Sequence, residues 1–313
     1  MKIVFLDAKT IGEDIDLSGF DALGEVVKYG FSTAQEARER SKDADVLILN
    51  KVQVNEQTIG EADHLKLVCV TATGTNNLDK EYLNKRGIAW RNVAGYSTES
   101  VAQHTFAMLF YLLEKLPYYD NYVKSEKYVN DVSFTHFAKA FHELSGMTYG
   151  IIGLGNIGRR VADIAKVFGC RVIYYSTSGR NSQPGYERVS FDELLEQSDI
   201  VSIHAPLDEN TLGLMNKEAF AKMKKSAILL NVGRGPIINE ADLAEALNNK
   251  TIAAAGLDVL SVEPMQEDNP LRGIKESERL LITPHIAWAG VEARNRLMGI
   301  ILGQIKEFFK AHE

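Results

Sequence analysis

Short runs of consecutive apolar residues alternate with segments of helical periodicity along almost the whole chain. Apolar and polar positions do not alternate within these runs, which is typical of strands covered on both faces. One set of runs lies before residue 100 and reads KIVFLDA, VLILN, LKLVCVTA and IAWRN. A second set lies after residue 145 and reads TYGIIGL, RVIYYS, IVSIHAP, AILLNVG, AAAGLDV and LLITPH. Strands that alternate with helices indicate βαβ units, so the pattern predicts an α/β fold with parallel sheets.

The segment between the two sets, residues 100–145, combines a helical pattern with many aromatic residues. Its second part reads LPYYDNYVKSEKYVNDVSFTHFAKAF, which is too apolar for a free linker. We interpret the segment as an interdomain helix followed by an arm, residues 117–145. The arm packs either on a second subunit or on its own chain, and the sequence leaves open whether subunits exchange it.

Composition narrows the class of protein. The length of 313 residues favours two domains, and 45% hydrophobic with 25% charged residues is ordinary for a globular enzyme. The net charge of -7 argues against a nucleic-acid partner, because no basic patch stands out. The longest apolar stretch, residues 101–113, is too short to span a membrane. We therefore expect neither a nucleic-acid partner nor a membrane partner.

The two cysteines indicate the compartment. Cys69 and Cys170 both lie in apolar runs, as buried thiols of a reducing compartment do, and suggest neither a disulfide nor a metal site. The apolar run near the N terminus is shorter than the core of an export signal. We expect a cytoplasmic protein without a bound metal.

Residues 148–168 read TYGIIGLGNIGRRVADIAKVF and predict a strand, a glycine-rich turn and a helix that begins near Asn156. Gly153 permits the tight turn, Gly155 lets the backbone approach a pyrophosphate, and Gly158 lets the helix pack close to the strand. The helix N terminus offers N–H groups to the phosphates. In this setting the motif predicts a dinucleotide site.

The next strand ends in YYSTSGR, where an acidic residue usually binds the ribose hydroxyls of NAD. The sequence has Ser176, Thr177, Ser178 and Arg180 there instead. Hydroxyl groups and an arginine can hold a 2′-phosphate, so the stretch slightly favours NADP(H) within an NAD(P) site. The alternative is a loop that tolerates small polar residues while NADH is still used.

Three later strands each end in a residue capable of chemistry, at the edge where ligands gather in an open α/β sheet. Arg234 follows AILLNVG and can clamp a carboxylate with its planar guanidinium. His285 follows LLITP and can transfer a proton near neutral pH. Glu263, in GLDVLSVEP, would orient the imidazole and favour its protonated form. A dinucleotide, a carboxylate clamp and a proton donor together predict hydride transfer to a 2-oxo acid, although Arg234 in a surface ion pair and His285 in a structural hydrogen bond are the alternatives.

The segments VTATGTNNLD, NVAGYSTESVAQHT, GLGNIG, HAPL, NVGRG, GLDV, EP and TPHIAW resemble, in order and spacing, the D-isomer-specific 2-hydroxyacid dehydrogenase family over essentially the whole chain. The resemblance implies two doubly wound parallel-sheet domains. A flavodoxin-like substrate (catalytic) domain would comprise residues 1–100 plus 286–313, and a Rossmann-type dinucleotide-binding domain residues 101–285. It also implies a homodimer joined largely through the nucleotide domain.

The resemblance also implies a role for each matching residue. Arg234 corresponds to the carboxylate-binding arginine, Glu263 and His285 to the paired acid and proton relay, and Thr73 and Gly74 to the loop whose N–H groups hold the substrate carboxylate. Asp258 matches the residue that engages the nicotinamide carboxamide. The glycine-rich turn, the YYSTSGR stretch and the resemblance together predict these cofactor contacts: Gly153, Gly155, Asn156, Ile157, Ser176, Thr177, Arg180, His204, Pro206, Thr211, Val232 and Asp258. For His204, a packing role is an equal alternative.

The activity implied by the resemblance is hydride transfer to C2 of a small 2-oxo acid, with His285 as proton donor. Trp288 and Gln103 are similar to the glyoxylate and hydroxypyruvate reductase branch, in which the tryptophan narrows the substrate pocket. Trp288 as a core aromatic on the last helix is the alternative. A D-lactate-type or other 2-hydroxyacid dehydrogenase, or a dinucleotide-sensing corepressor-like protein, also remains open, as does the physiological direction.

Overall fold

The computed structural model describes residues 1–180 and 183–311. The chain divides into two compact units, one formed by Met1–Ser97 with Ala289–Glu313 and the other by Thr98–Trp288. We call them the first unit and the second unit. That the first unit binds the substrate acid and the second unit binds the dinucleotide stays a prediction.

The first unit contains a five-stranded parallel sheet in the order β2-β1-β3-β4-β5, which is the flavodoxin-like order. Its strands are β1 (Lys2–Phe5), β2 (Glu25–Lys28), β3 (Val46–Leu49), β4 (Leu67–Val70) and β5 (Ala89–Arg91). Its helices are α1 (Ala34–Ser41), α2 (Glu56–Ile59), α3 (Lys80–Arg86) and the last helix of the chain, α10 (Val291–Lys310).

The second unit contains a seven-stranded parallel sheet in the order β12-β11-β10-β9-β6-β7-β8. Its strands are β6 (Thr148–Ile152), β7 (Arg171–Tyr175), β8 (Glu187–Arg188), β9 (Ile200–Ile203), β10 (Ile228–Asn231), β11 (Ala254–Leu257) and β12 (Leu280–Ile282). Its helices are α4 (Thr98–Leu113), α5 (Leu116–Lys124), α6 (Asn156–Val167), α7 (Phe191–Gln197), α8 (Lys217–Lys222) and α9 (Glu240–Asn248). The order is that of a Rossmann fold with one added edge strand, and the strand order reverses between β6 and β9. The predicted fold class is therefore confirmed.

The continuous apolar runs are strands buried on both faces. Every residue of β3, β4, β9, β10 and β11 is buried. Because neighbouring residues of a strand point to opposite faces, Ile151 and Ile152 of β6 belong to two different apolar clusters of the second unit. Each face of this sheet thus has a core of its own.

Side-chain caps determine where several helices begin. The Thr33 hydroxyl accepts the N–H of Glu36, whose carboxylate accepts the N–H of Thr33, and Ser190 and Glu193 form the same reciprocal pair before α7. The helix α6 differs, because its N-cap residue is Gly155 and no side chain caps it. Its first N–H groups are left for another acceptor.

The arm has an inverted arrangement of polar and apolar side chains. The rings of Tyr122 and His136 stack with centroids 3.8 Å apart, and the Tyr122 hydroxyl donates to Asp131 at 2.5 Å. In contrast, the side chains of Phe134 and Phe137 are 87% and 89% exposed. Large apolar residues are therefore on the outside of this segment.

No helix among residues 1–180 and 183–311 has the length and apolar character needed to cross a bilayer.

Candidate active site

The glycine-rich turn joins β6 to α6 with the predicted geometry. Gly153 has φ +90°, and an added Cβ would lie 2.7 Å from the backbone nitrogen of Ala205. A Cβ on Gly158 would collide with the carbonyl oxygen of Gly153, so the helix approaches the turn closely. Around Gly155, by contrast, no described atom outside Gly155 and its two chain neighbours lies within 4 Å of the position that a Cβ would take. The turn therefore leaves open space beside an uncapped helix N terminus.

Asn156 and Ile157 form the first turn of α6. Asn156 is exposed, and its side-chain oxygen accepts a hydrogen bond from Arg159 at 2.5 Å. Ile157 is half-buried and packs against the apolar cluster under the helix. Both residues lie at the helix end where an anion would bind.

The end of β7 presents a buried hydroxyl. Ser176 is 5% exposed, and its Oγ has no hydrogen-bond partner in the described part of the chain. Thr177 is half-buried, whereas Arg180 is exposed and forms no ion pair with any described residue. Because a buried polar group without a partner is costly, this hydroxyl is suited to a bound ligand.

His204 follows β9 on the other side of β6. Its Nε2 shares a 2.9 Å hydrogen bond with the Ser202 hydroxyl, while its Nδ1 is buried without a partner among the described residues. Burial lowers the pKa of His204 to about 3, so the ring is neutral at physiological pH.

Three further predicted cofactor contacts lie nearby in the second unit. Pro206 and Thr211 are in the turn after His204, and Val232 follows β10. Thr211 is fully buried, and its hydroxyl donates to the carbonyl oxygen of Pro206 at 2.8 Å. Its donor is therefore engaged within the turn, while the Pro206 side chain is exposed. Val232 is half-buried directly after β10.

The uncapped helix, the open space at Gly155 and the unpaired atoms of Ser176 and His204 lie around the carboxyl ends of β6, β7 and β9. This is the switch point of the sheet, where nucleotides bind in such folds. The residues present therefore fit a dinucleotide cofactor.

His285 and Glu263 form a close pair. The His285 Nδ1 lies 2.7 Å from Glu263 Oε2, and the other carboxylate oxygen accepts the N–H of Leu260 at 3.0 Å. Because a carboxylate accepts, Nδ1 carries a proton and Nε2 is the atom left for a substrate. The two side chains are 28% and 33% exposed, so the pair is accessible.

His285 has the uncommon φ of +56°. Its N–H donates to the carbonyl oxygens of Asp258 at 2.8 Å and Thr283 at 2.9 Å. The Asp258 carboxylate, which is almost fully buried, accepts the Thr283 hydroxyl at 2.6 Å and the N–H groups of Ile286 at 2.9 Å and Ala287 at 2.8 Å. Asp258 thus holds the segment that carries His285.

Arg234 lies in a turn that is fixed from both sides. The Asn231 side chain donates to the Arg234 carbonyl and accepts from the Gly233 N–H, both at 3.0 Å. A Cβ on Gly235 would collide with the backbone of Leu260, whose N–H holds Glu263. The Arg234 guanidinium donates to the Gly233 carbonyl at 2.7 Å and forms no ion pair with the described residues. Within the described residues, Arg234 therefore does not form the surface ion pair that was the alternative interpretation.

The predicted substrate residues belong to different units. In the first unit, Thr73 follows β4, and its hydroxyl donates to the Val93 carbonyl at 2.9 Å while its carbonyl accepts from Asn92 at 2.6 Å. Gly74 is half-buried beside it. Trp288 ends the second unit; it is half-buried and precedes α10, so it is not a core residue of the last helix.

Two residues that are hydrogen-bonded into this site, His104 and Thr283, were not predicted from the sequence. His104 of α4 lies 3.0 Å through Nε2 from the Thr283 hydroxyl, which in turn reaches Asp258. The available signals were a histidine inside the apolar helix α4 and a threonine at the end of an apolar run. Within the described residues there is no group of His, Cys, Asp and Glu side chains suited to a metal ion.

Comparison with protein families and curated proteins identifies related chains. The family model described as D-isomer specific 2-hydroxyacid dehydrogenase, NAD binding domain, matches residues 106–287. The chain is 38% identical to the hydroxypyruvate reductase of Blautia hydrogenotrophica, covering 99% of this chain and 97% of that protein. It is 32% identical to the glycerate dehydrogenase of Methylorubrum extorquens, covering 98% and 96%.

Two similar solved structures contain different nicotinamide cofactors. D-lactate dehydrogenase from Aquifex aeolicus, complexed with NAD and lactic acid, has a TM-score of 0.84 and 27% identity over 99% of this chain and 96% of that chain. An acyclic imino acid reductase in complex with NADPH and D-Arg has a TM-score of 0.87 and 28% identity over 99% and 98%. The fold of the chain is thus similar to those of oxidoreductases whose structures contain NAD or NADPH.

Proposed function

The chain belongs to the D-isomer specific 2-hydroxyacid dehydrogenase family, and from this premise we propose that it reduces a small 2-oxo acid at C2, either hydroxypyruvate to its D-2-hydroxy acid or glyoxylate to its achiral 2-hydroxy acid. Membership of this family makes the protein a D-2-hydroxyacid dehydrogenase with an NAD-binding domain. The observation that carries the proposal is the 2.7 Å contact between His285 Nδ1 and Glu263.

His285 is the proposed proton donor. When bound, the reduced nicotinamide supplies the hydride for C2. Nε2 of His285 gives its proton to the carbonyl oxygen, so that the oxo group becomes a hydroxyl group. Glu263 holds Nδ1 and stabilises the positive imidazolium before the transfer.

Arg234 is the proposed clamp for the substrate carboxylate. Its guanidinium donates to the Gly233 carbonyl but forms no ion pair with the described residues, so its charge and remaining N–H donors can match the two oxygens of a carboxylate. The family resemblance assigns carboxylate binding also to the backbone N–H groups of Thr73 and Gly74 in the first unit, where the Thr73 hydroxyl is engaged with Val93. Asp258 is proposed to engage the nicotinamide carboxamide.

Two named relatives support the choice of hydroxypyruvate or glyoxylate, namely a hydroxypyruvate reductase and a glycerate dehydrogenase. Trp288, half-buried three residues after His285, is proposed to narrow the pocket toward such small acids. Gln103 on α4 supports the same branch by resemblance. The similar structure that contains NAD and lactic acid makes pyruvate the principal competitor.

The proposal is tested with purified protein and a panel of hydroxypyruvate, glyoxylate, pyruvate and phenylpyruvate, each with NADH and NADPH. We expect the highest kcat/KM with hydroxypyruvate or glyoxylate. His285→Ala should lower kcat about 10²–10⁴-fold because the proton donor is lost. Arg234→Ala should also raise KM, whereas His64→Ala, which removes an exposed histidine of the first unit, should match the wild type. Consumption of no oxo acid would favour a dinucleotide-sensing, corepressor-like protein.

NADP(H) is the proposed preferred cofactor. Ser176 supplies a buried unpaired hydroxyl where an acidic residue would repel a 2′-phosphate, and Arg180 supplies a positive charge nearby in sequence. The similar structure with NADPH shows that the fold accepts this cofactor in a relative.

Ser176→Asp should shift the ratio of kcat/KM for NADPH over NADH at least about tenfold toward NADH, since a carboxylate beside a phosphate costs more than a kcal/mol. Ser176→Ala removes the hydroxyl without adding a charge, so it should shift the ratio toward NADH by less than Ser176→Asp does. Initial rates with both cofactors measure the shift. The preference would be disproved by a wild type that uses NADH as well as NADPH.

We also propose a homodimer in which the exposed apolar residues of the arm contact a second copy of this chain. The support is the inverted pattern of the arm, with Phe134 and Phe137 outside.

A cytoplasmic location is proposed from the free, buried thiols of Cys69 and Cys170, which a reducing compartment maintains. Burial raises the pKa of Cys69 to about 12 and that of Cys170 to about 11, so both are unreactive.

A further inference from the structure

Two residues on one face of α4 contact the segment that carries His285. Ser100 and His104 are four residues apart and therefore lie on the same face of the helix. The Ser100 hydroxyl donates to the carbonyl oxygen of Ala287 at 2.6 Å. The Nε2 of His104 lies 3.0 Å from the Thr283 hydroxyl. The helix thus contacts both ends of the segment from Thr283 to Ala287.

The hydrogens in this network can be assigned. A carboxylate only accepts, so the single hydroxyl hydrogen of Thr283 lies in its 2.6 Å bond to Asp258 Oδ1. The Thr283 oxygen then accepts from His104, which requires a hydrogen on His104 Nε2. Nε2 is also 3.5 Å from Asp258 Oδ1. His104 therefore donates to the Thr283 hydroxyl, which in turn donates to a nearly fully buried carboxylate.

The orientation of Asp258 determines the shape of the next residues. Its two carboxylate oxygens accept the N–H groups of Ile286 and Ala287, and its carbonyl oxygen accepts the N–H of His285. His285 itself has a left-handed backbone, a strained conformation that persists only when its surroundings impose it. Each contact that fixes Asp258 therefore also fixes the imidazole.

We propose that His104 is a positioning residue for the proton donor. It acts through Thr283 and Asp258, and it holds the His285 imidazole in the geometry needed to protonate the substrate. His104 contacts no reacting atom in this role. The inference rests on the proposed function of His285.

The test compares a variant that keeps the donor with one that removes it. The amide of His104→Gln can place an N–H near the position of Nε2, whereas His104→Leu is similar in volume and has no donor. We expect His104→Leu to lower kcat about 10–10²-fold, since a small displacement of a catalytic group has that effect. KM for the oxo acid should change by less than about threefold, because Arg234 is untouched. His104→Gln should recover most of kcat.

Nitrogen NMR of the histidine rings provides a readout that does not need turnover. We expect the wild type to show a proton on His104 Nε2, and the His285 ring signals to move in His104→Leu but not in His104→Gln. Thr283→Val, which removes the linking hydroxyl, should reproduce His104→Leu and serves if that variant does not fold.

Full kcat in His104→Leu, equal losses in the Leu and Gln variants, or unmoved His285 signals in both His104→Leu and Thr283→Val would overturn the inference. A wild type that reduces none of the oxo acids would instead refute the proposed function. The NMR comparison would still decide whether His104 positions His285.

Discussion

Two buried polar atoms that have no hydrogen-bond partner among the described residues flank the glycine-rich turn of the second unit. Ser176 Oγ follows β7, His204 Nδ1 follows β9, and both strands pair with β6. Leaving such an atom unpaired costs about 1–3 kcal/mol, and a ligand that supplies hydrogen bonds recovers that cost. We therefore expect cofactor binding to stabilise the second unit through these two residues.

His204 also predicts how stability depends on pH. Burial lowers the pKa of this histidine from 6.5 to about 3, so its contribution to stability is complete above pH 6.5 and is lost as pH falls toward 3. Over that range the free energy of unfolding should fall by up to about 1.4 kcal/mol per pH unit from this group alone. Urea unfolding of the wild type and His204→Gln from pH 7 to pH 4 measures the difference.

His204→Gln should lose less stability on acidification than the wild type, because glutamine takes up no proton in this range. His64→Gln replaces an exposed histidine and should follow the wild type. Parallel pH curves for the wild type and His204→Gln would show that burial does not keep His204 neutral.

At the scale of elements, α4 shows what periodicity can and cannot predict. The apolar stretch at residues 101–113 predicted a helix, and the helix spans Thr98–Leu113. Its apolar face packs on the sheet. The Cε of Met108 lies so close to Gly256 of β11 that a Cβ added to this glycine would be only 3.0 Å away. The polar residue His104 interrupts this apolar stretch, but the local pattern could not predict its partner, because Thr283 is 179 residues away in the sequence.

The arm is an element whose exposed aromatic residues predict an assembly. Replacement of Phe134 and Phe137 together by serine should convert a dimer into a monomer, since each buried phenylalanine contributes about 1.5–3 kcal/mol to association. Light scattering at micromolar concentration measures the mass. Phe31→Ser, which removes an aromatic side chain that is 65% exposed in the first unit, should leave the mass unchanged. A monomeric wild type would contradict the proposed homodimer.

At the scale of the whole chain, the sequence predicted the fold class because buried parallel strands leave a local signal. Continuous apolar runs and the glycine-rich turn are each contained within a few residues, and the two sheets confirm them. The two-residue strand β8 was not predicted, since both of its residues are exposed and charged.

Long-range polar contacts of buried groups were missed for a different reason. Asp7 accepts the N–H groups of Asn50, Lys51 and Val52 at distances from 2.7 to 3.2 Å, and nothing in the periodicity of the chain marks it. The network of His104, Thr283 and Asp258 is of the same kind. Such contacts become visible only when the topology brings distant segments together.

The three glycines of the turn, Gly153, Gly155 and Gly158, differ in what would prevent a larger residue at each position. Gly153 and Gly158 have no room for a side chain, so the folded chain itself excludes a substitution there. Gly155 has an extended backbone, with φ -78° and ψ -160°, and open space around it. An alanine at this position is therefore expected to leave the fold of the second unit intact. If the proposed dinucleotide binds at this turn, the added methyl group would impair its binding, so Gly155→Ala should separate the loss of cofactor affinity from any loss of stability.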